Sequence, residues 1–267
     1  MTPVVALIGP PNSGKTTLFN ALTGTGSRPI NYPGATVEYV IGVTKRNWGS
    51  EIRIADTPGI YSLSPKSPEE EVTLKILTVD SADRAQAAIV VADATQLSRH
   101  LPLVRQVIEA GCPAVLAVTM TDILESDGKH LDTLQLSKEI GIPVVATHSI
   151  SQGGLQELVR QVGALLERKP EKCTPVGWSA TRQALELGNA AEIAKRVIGL
   201  RTQNTGTSVS AADRTQRIDR WLLHPVFGLA FFAAVMASLF TSIFWLAAPA
   251  MDAITAAFEI LASSLLT

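Results

Sequence analysis

Cysteine is nearly absent: Cys112 and Cys173 are the only two in 267 residues, far apart and in no CxxC pair. Neither a disulfide framework nor a thiolate zinc site is expected, and both are read as unpaired thiols of a reducing compartment. An excess of positive charge is also lacking. Lys and Arg number 23 against 24 Asp and Glu, a net charge of −1, so no nucleic-acid partner is expected. Histidine is confined to positions 100, 130, 148 and 224, a scatter without ligand spacing, and no residues that would hold iron can be picked out. Glu69, Glu70 and Glu71 follow Ser67-Pro68 and read as the acidic first turn of a capped helix rather than a metal cluster.

What is abundant is apolar. Hydrophobic residues make up 46% and charged residues 18%, with a mean hydropathy of +0.22, which excludes a disordered or collagen-like chain. Between Trp221 and Met251 there is no Lys, Arg, Asp or Glu, and 226–248 is almost wholly apolar, where a bilayer crossing needs about 20 residues. Pro225 and Pro249 bracket the stretch, and Trp221, His224 and Trp245 suit interfacial belts. A helix buried in a large soluble core would be shorter and interrupted by polar positions. Arg214, Arg217 and Arg220 precede the stretch and no Lys or Arg follows, so the N-terminal part is expected on the cytoplasmic side of a cell membrane. The remaining 251–267 reads as an interfacial helix or a partial second membrane element. One span with a short tail offers a solute no pathway, so a homo-oligomer or the remainder of a larger membrane protein is expected as partner, with the lipid bilayer.

Upstream, β-branched runs at 4–8, 37–44, 52–55, 88–92, 114–119 and 143–146 alternate with helical patterns at 15–22, 68–77, 98–109, 131–140 and 154–166. Such alternation predicts βαβ units and a mostly parallel sheet covered on both faces, with the site at the carboxyl ends of its strands. A helical segment over 179–200 and a polar run over 201–210 follow. The expected division is 1–168 as the α/β domain, 169–213 as a small helical subdomain and linker, 214–250 as membrane entry and span, and 251–267 as the tail.

Directly after the first strand stands Gly9-Pro10-Pro11-Asn12-Ser13-Gly14-Lys15-Thr16, followed by Thr17, which fits G-x-x-x-x-G-K-[ST] and opens a helix. Its glycines let backbone N–H groups close round phosphates, Lys15 reaches the β and γ oxygens, and the Thr16 hydroxyl binds Mg²⁺. The run 52–55 leads into Asp56-Thr57-Pro58-Gly59, an Asp-x-x-Gly turn. Asp56 can hold a Mg²⁺-bound water, and the Gly59 N–H can meet the γ-phosphate and sense its loss. Between the two motifs lies a loop containing Gly34-Ala35-Thr36, where Thr36 is the natural second Mg²⁺ hydroxyl. For the base, the strand 114–119 ends in Thr119-Met120-Thr121-Asp122, and a carboxylate at Asp122 accepts from guanine N1–H and the exocyclic amine, where adenine presents an acceptor. A helix N-cap is the competing role for Asp122. Ser149, Ile150 and Ser151 would lie beside the base and supply backbone contacts.

Taken together, Gly9 to Gly24, Asn31 to Glu38, Asp56 to Leu63, Ser67 to Glu71 and Arg217 to Gly228 resemble the ferrous iron transporter FeoB family, in its N-terminal GTPase domain and entry into the first membrane helix. The resemblance implies an α/β fold of the Ras-like P-loop GTPase type, followed by a helical subdomain that restrains GDP release and by a transmembrane helix. It implies a GTP/GDP cycle with Mg²⁺, an activating K⁺ held by Asn12, and Fe²⁺ as the transported ion. Lys15, Thr36, Gly59 and Asn12 would act in hydrolysis. Ile60 follows Gly59 where many signalling GTPases carry a water-positioning Gln, so turnover is expected to be slow and dependent on K⁺. Two departures stand out. Thr119 replaces the family's Asn, which would brace both base and phosphate loop, and the segment 170–213 is short. The competing functions are a GTP-controlled ribosome-assembly or RNA-modification factor, and a P-loop ATPase.

Overall fold

The computed structural model describes residues 2–24, 28–31, 38–45, 51–64, 67–79, 84–147, 152–167, 173–174, 176–200, 229, 231–242, 249 and 256. The chain divides into two compact units, Met1–Gln203 and Asn204–Thr267.

The first unit is built on a seven-stranded sheet. Its strands are β1 (Val4–Ile8), β2 (Arg28–Asn31), β3 (Glu38–Val43), β4 (Arg53–Asp56), β5 (Ala87–Asp93), β6 (Ala114–Thr119) and β8 (Val144–Ala146), in the order β2-β3-β4-β1-β5-β6-β8. β4, β1, β5, β6 and β8 are parallel, and β3 and β2 extend one edge antiparallel. All residues of β1, β5 and β6 are buried, as strands covered on both faces must be. Strand alternation divides β1 between two cores. Val4, Ala6 and Ile8 join Val72, Ile76, Leu101, Val104, Leu136 and Ala190 on one face, whereas Val5 and Leu7 join Leu18, Phe19, Leu22, Leu158 and Val162 on the other. The helices supplying these contacts are α2 (Pro68–Thr78), α3 (Leu97–Glu109), α5 (Thr133–Ile140) and α7 (Ala180–Val197) on the first face, and α1 (Lys15–Thr23) and α6 (Gln152–Leu166) on the second. Because β1 lies between β4 and β5, the chain reverses its direction of travel across the sheet at β1, and the crevice beyond its carboxyl end is where such folds bind ligands.

The Ser67 hydroxyl caps α2 by accepting from Glu70 N–H, with Pro68 at the first turn and Glu69 to Glu71 beside it, as the sequence predicts. Other elements differ from expectation. Helix 131–140 starts at Thr133, because Asp132 caps it by accepting from Gln135 N–H at 2.8 Å and Leu131 belongs to a short strand, β7 (Lys129–Leu131). Helix 179–200 ends at Val197, where the β-branched pair Val197-Ile198 passes into β9 (Ile198–Leu200), which pairs antiparallel with β7. A short helix, α4 (Thr121–Ser126), follows β6.

The expectation of two unpaired thiols is corrected: Cys112 and Cys173 form a disulfide, their Cα atoms 4.8 Å apart across a sequence separation of 61. Separation along the chain carries no information here, because α7 lies along α3 and brings the segment before it against the end of α3. Thr174 N–H donates to Ala110 O at 2.7 Å, Trp178 Nε1 to Glu109 Oε2 at 2.9 Å and Arg182 Nη2 to Glu109 Oε1 at 2.7 Å. At the other end of α7, Arg196 meets Glu139 of α5 through two bonds of 3.0 Å.

In the second unit 231–242 is helical, and Leu229, Phe231, Phe232, Leu239 and Phe240 are each more than half exposed. The rest of the stretch 226–248, apart from Leu229, lies outside the described residues, as do 201–210 and nearly all of 251–267. Among the described residues no helix is long and apolar enough to cross a membrane.

Candidate nucleotide site

The loop from Gly9 to Gly14 turns at the carboxyl end of β1. Asn12 at φ 61° and Gly14 at φ 83° both take left-handed backbone, which curls the loop into α1. A Cβ on Gly9 would stand 2.6 Å from Val91 O, so only glycine lets the loop start this close to β5. Gly14 occupies the N-cap of α1 without a side-chain hydrogen bond, leaving the first amides of the helix to an anion.

Lys15 is buried at the start of this helix, near Asp56 at the end of β4. Burial pulls the Lys15 ammonium below its ordinary pKa and pushes the Asp56 carboxyl above its own, and the attraction between them offsets part of each shift. Thr16 Oγ1 lies 3.4 Å from Asp56 Oδ2, whereas Asp56 Oδ1 and Ser13 Oγ are buried with no partner among the described residues. Buried polar atoms without partners are costly, and a carboxylate oxygen beside a hydroxyl at a phosphate loop is a donor set that fits Mg²⁺ and its waters.

The Asp-x-x-Gly turn is folded back onto the loop. Thr57 Oγ1 donates to Leu7 O at 2.9 Å, Ile60 N–H donates to Gly9 O at 3.1 Å, and a Cβ on Gly59 would meet Pro11 N and Cγ at 2.9 Å. Leu63 N–H donates to Gln106 Oε1 of α3 at 2.7 Å. Gln106, 2% exposed, anchors the turn from a distant helix, and the sequence reading missed it. Its one signal was an amide within an otherwise apolar helix face.

The base motif forms the other end of the site. Thr119 closes β6 and its hydroxyl donates to Ser13 O at 2.7 Å, with Ala92 O at 3.2 Å. Met120, at φ 55°, is the N-cap of α4, which has no side-chain cap, so Asp122 stands inside the first turn and does not cap it. A cavity of about 260 Å³ opens here, lined by Gly14, Thr17, Leu18, Ala21, Thr119, Met120, Asp122, Ile123, Thr147 and Leu155. Asp122 is its one charged lining residue among those described. Leu18, Ala21, Ile123, Thr147 and Leu155 were not foreseen, because their patterns are those of ordinary helix and strand positions. Gly34, Ala35, Thr36, Ser149, Ile150 and Ser151 lie outside the described residues.

A phosphate loop at the β1 switch point, an Asp-x-x-Gly turn docked on it and an acidic base cavity after β6 define a P-loop G-domain of the Ras-like class. The family model described as Ferrous iron transport protein B matches residues 3–162. The chain belongs to this family, FeoB. It is 30% identical over 98% of its length to the Fe(2+) transporter FeoB of Helicobacter pylori strain J99, covering 40% of that protein, and 29% identical over 94% of its length to that of a Synechocystis species, again covering 40%. The chain thus spans about two-fifths of the length of these relatives. Among solved structures, the cytosolic domain of the T. maritima FeoB iron transporter in a GDP form matches with a TM-score of 0.59 at 34% identity, covering 69% of this chain and 70% of that one. A GDP-bound variant of the S. thermophilus FeoB G-domain matches with a TM-score of 0.58 at 33% identity, covering 74% and 90%. These relatives do not favour the alternative of a ribosome-assembly or RNA-modification factor.

Proposed function

We propose that the chain is the GTP-binding and GTP-hydrolysing module of a membrane Fe²⁺ transporter, whose GTP/GDP cycle gates or powers ferrous iron uptake. The observation that carries the nucleotide part is the buried Lys15 and the half-buried Asp56 at the mouth of the phosphate loop, with Asp56 Oδ1 and Ser13 Oγ unpartnered among the described residues beside them. A triphosphate supplies the negative charge that a buried ammonium lacks, and Mg²⁺ the positive charge that the unpartnered carboxylate oxygen lacks. The relatives named as Fe(2+) transporters support the transport part.

In this reading Gly9 to Thr17 wrap the phosphates, Lys15 holds the β and γ oxygens, and Asp122 selects guanine, with Ser149 to Ser151 beside the base. Thr16, Thr36 and, through a water, Asp56 would hold Mg²⁺, and the amide oxygen of Asn12, exposed on the loop, would hold K⁺. Bound there, the cations would stabilise charge developing on the γ-phosphate oxygens. Gly59 links γ-phosphate to the docked turn. With Ile60 in place of a water-positioning amide, turnover is slow and K⁺-stimulated. Residues 1–168 would form the G-domain on the cytoplasmic side, 169–213 the helical subdomain and linker, 214–250 the membrane entry and span, and 251–267 an interfacial or partial second element, completed by the rest of the transporter or by further copies.

The test is hydrolysis of GTP and of ATP by the chain in detergent, in KCl and in NaCl, repeated with Asn12→Ala. Turnover of GTP alone, faster in KCl and slowed by the substitution, is expected. Absence of guanine-nucleotide binding or turnover in both salts would overturn the reading.

A further inference from the structure

Guanine presents two hydrogen-bonding edges of different character. Its Watson–Crick edge carries two donors, N1–H and the 2-amine, which a carboxylate such as Asp122 answers. The opposite edge carries O6 and N7, both acceptors, which only a donor can read.

Thr119 stands at the strand end beside the base cavity, and its hydroxyl has one proton. That proton is committed to Ser13 O at 2.7 Å, and the second acceptor in reach is another carbonyl, Ala92 O, at 3.2 Å. The side chain is 8% exposed and wedged against the turn at Gly14, where a Cβ would meet its Cγ2 at 3.4 Å and its Oγ1 at 3.5 Å. Turning the hydroxyl toward a base would leave both buried carbonyls without it. Thr147, the other strand-end hydroxyl lining the cavity, lies 3.3 Å from its own acceptor, Val118 O. Thr17 stands in the first turn of α1, at the phosphate end.

We propose that Thr119 is a positioning residue for the phosphate loop and not a base contact, so that no side chain among the described residues of the cavity reads guanine N7 and the nucleotide is selected through the Watson–Crick edge at Asp122. The site therefore keeps the tie between β6 and the phosphate loop while dropping one contact to the base. The inference rests on the guanine-nucleotide reading above.

7-Deaza-GDP isolates the point, since it replaces N7 by C–H and keeps O6, N1–H and the amine. Affinities of GDP and 7-deaza-GDP are measured by competition on the full chain in detergent with Mg²⁺, for the wild type and for Thr119→Ser, Thr119→Val and Thr119→Asn. The wild type and Thr119→Ser bind the two nucleotides within about twofold of each other, because neither spends a proton on N7. Thr119→Val weakens both by a similar factor of several-fold, losing the brace, and Thr119→Ser restores them. The Asn amide has two protons, one for Ser13 O and one for N7, so Thr119→Asn tightens GDP and opens a gap of about threefold to tenfold over 7-deaza-GDP. A wild-type preference for GDP of about tenfold that disappears in Thr119→Val would overturn the inference while leaving the nucleotide reading intact. A chain that binds no GDP would overturn both.

Discussion

At the scale of single residues, the site depends on close approaches that admit no extra atom. Gly59 is the clearest, since a Cβ would meet Pro11 N and Cγ at 2.9 Å and Pro11 Cα at 3.0 Å. Two of these three atoms are backbone, so the turn must move, and the bond from Ile60 N–H to Gly9 O moves with it. Gly59→Ala should cost the docked turn about 1–3 kcal/mol, the usual range for an overpacked contact. Single-turnover hydrolysis should slow by about tenfold or more while GDP affinity changes little; unaltered hydrolysis would show that the docking is irrelevant to turnover. His100 makes a different prediction. Burial lowers its pKa, Asp93 offsetting part of the shift, and its Nδ1 accepts from Asp93 N–H at 3.0 Å, a bond that protonation breaks. A histidine depressed below its free value of about 6.5 contributes stability that is complete above that value and lost as pH falls from it through the folded value. The drop in melting temperature between about pH 7.5 and about pH 5.5 should therefore be smaller in His100→Asn, whose Oδ1 can accept the same bond without titrating. An equal drop in both proteins would assign the acid sensitivity elsewhere. Much of the site was legible at this scale, because the phosphate loop is contiguous and Asp56 ends a recognisable strand. Gln106 was not, since its partner Leu63 lies 43 residues away and only the packing of α3 joins them.

At the scale of elements, legibility follows burial on both faces. β1, β5 and β6 sit within the parallel core, where an unbroken apolar run has no competing explanation. β2 carries Arg28, Pro29 and Asn31, a poor strand sequence, and exists because it lies at the sheet edge, where a proline is tolerated. β7 and β9 are three residues each and stand only as a pair, so neither leaves a local signal. The docking of α7 is equally non-local. Its anchor is Glu109 of α3, which takes the Trp178 indole and the Arg182 guanidinium together, with Arg182 5.5 Å from the Trp178 ring centroid. Trp178 is 6% exposed, so Glu109→Ala strands a buried indole N–H, at a cost of about 1–3 kcal/mol. Hydrogen exchange should quicken at the start of α7 and in the segment before it, while β1 and β5 keep their protection. Uniform protection in α7 would mean that the disulfide and the Arg196–Glu139 pair suffice to hold it.

At the scale of the whole molecule, the two units differ in what they do with apolar side chains. In Met1–Gln203 most of those described are enclosed on both faces of the sheet. In the helical stretch 231–242 Phe231, Phe232, Leu239 and Phe240 stand 55%, 60%, 52% and 55% exposed, and the stretch carries no charged residue. A helix that is apolar on every side has two stable surroundings, a large core or lipid. Full transfer of such a side chain from water is worth about 1.5–3 kcal/mol and about half of that area is still exposed, so the four together give about 3–6 kcal/mol, comparable to the hold of a single acyl chain on a bilayer. With a net charge of −1 the molecule has no general attraction to anionic lipid, so binding should be apolar and insensitive to salt. The full chain should float with liposomes of neutral phosphatidylcholine and stay with them in about 1 M NaCl, whereas a chain ending at Gln203 should remain in the aqueous fractions. Release of the full chain by salt would point to an electrostatic contact, and its absence from the liposomes would show that protein rather than lipid covers the exposed phenylalanines.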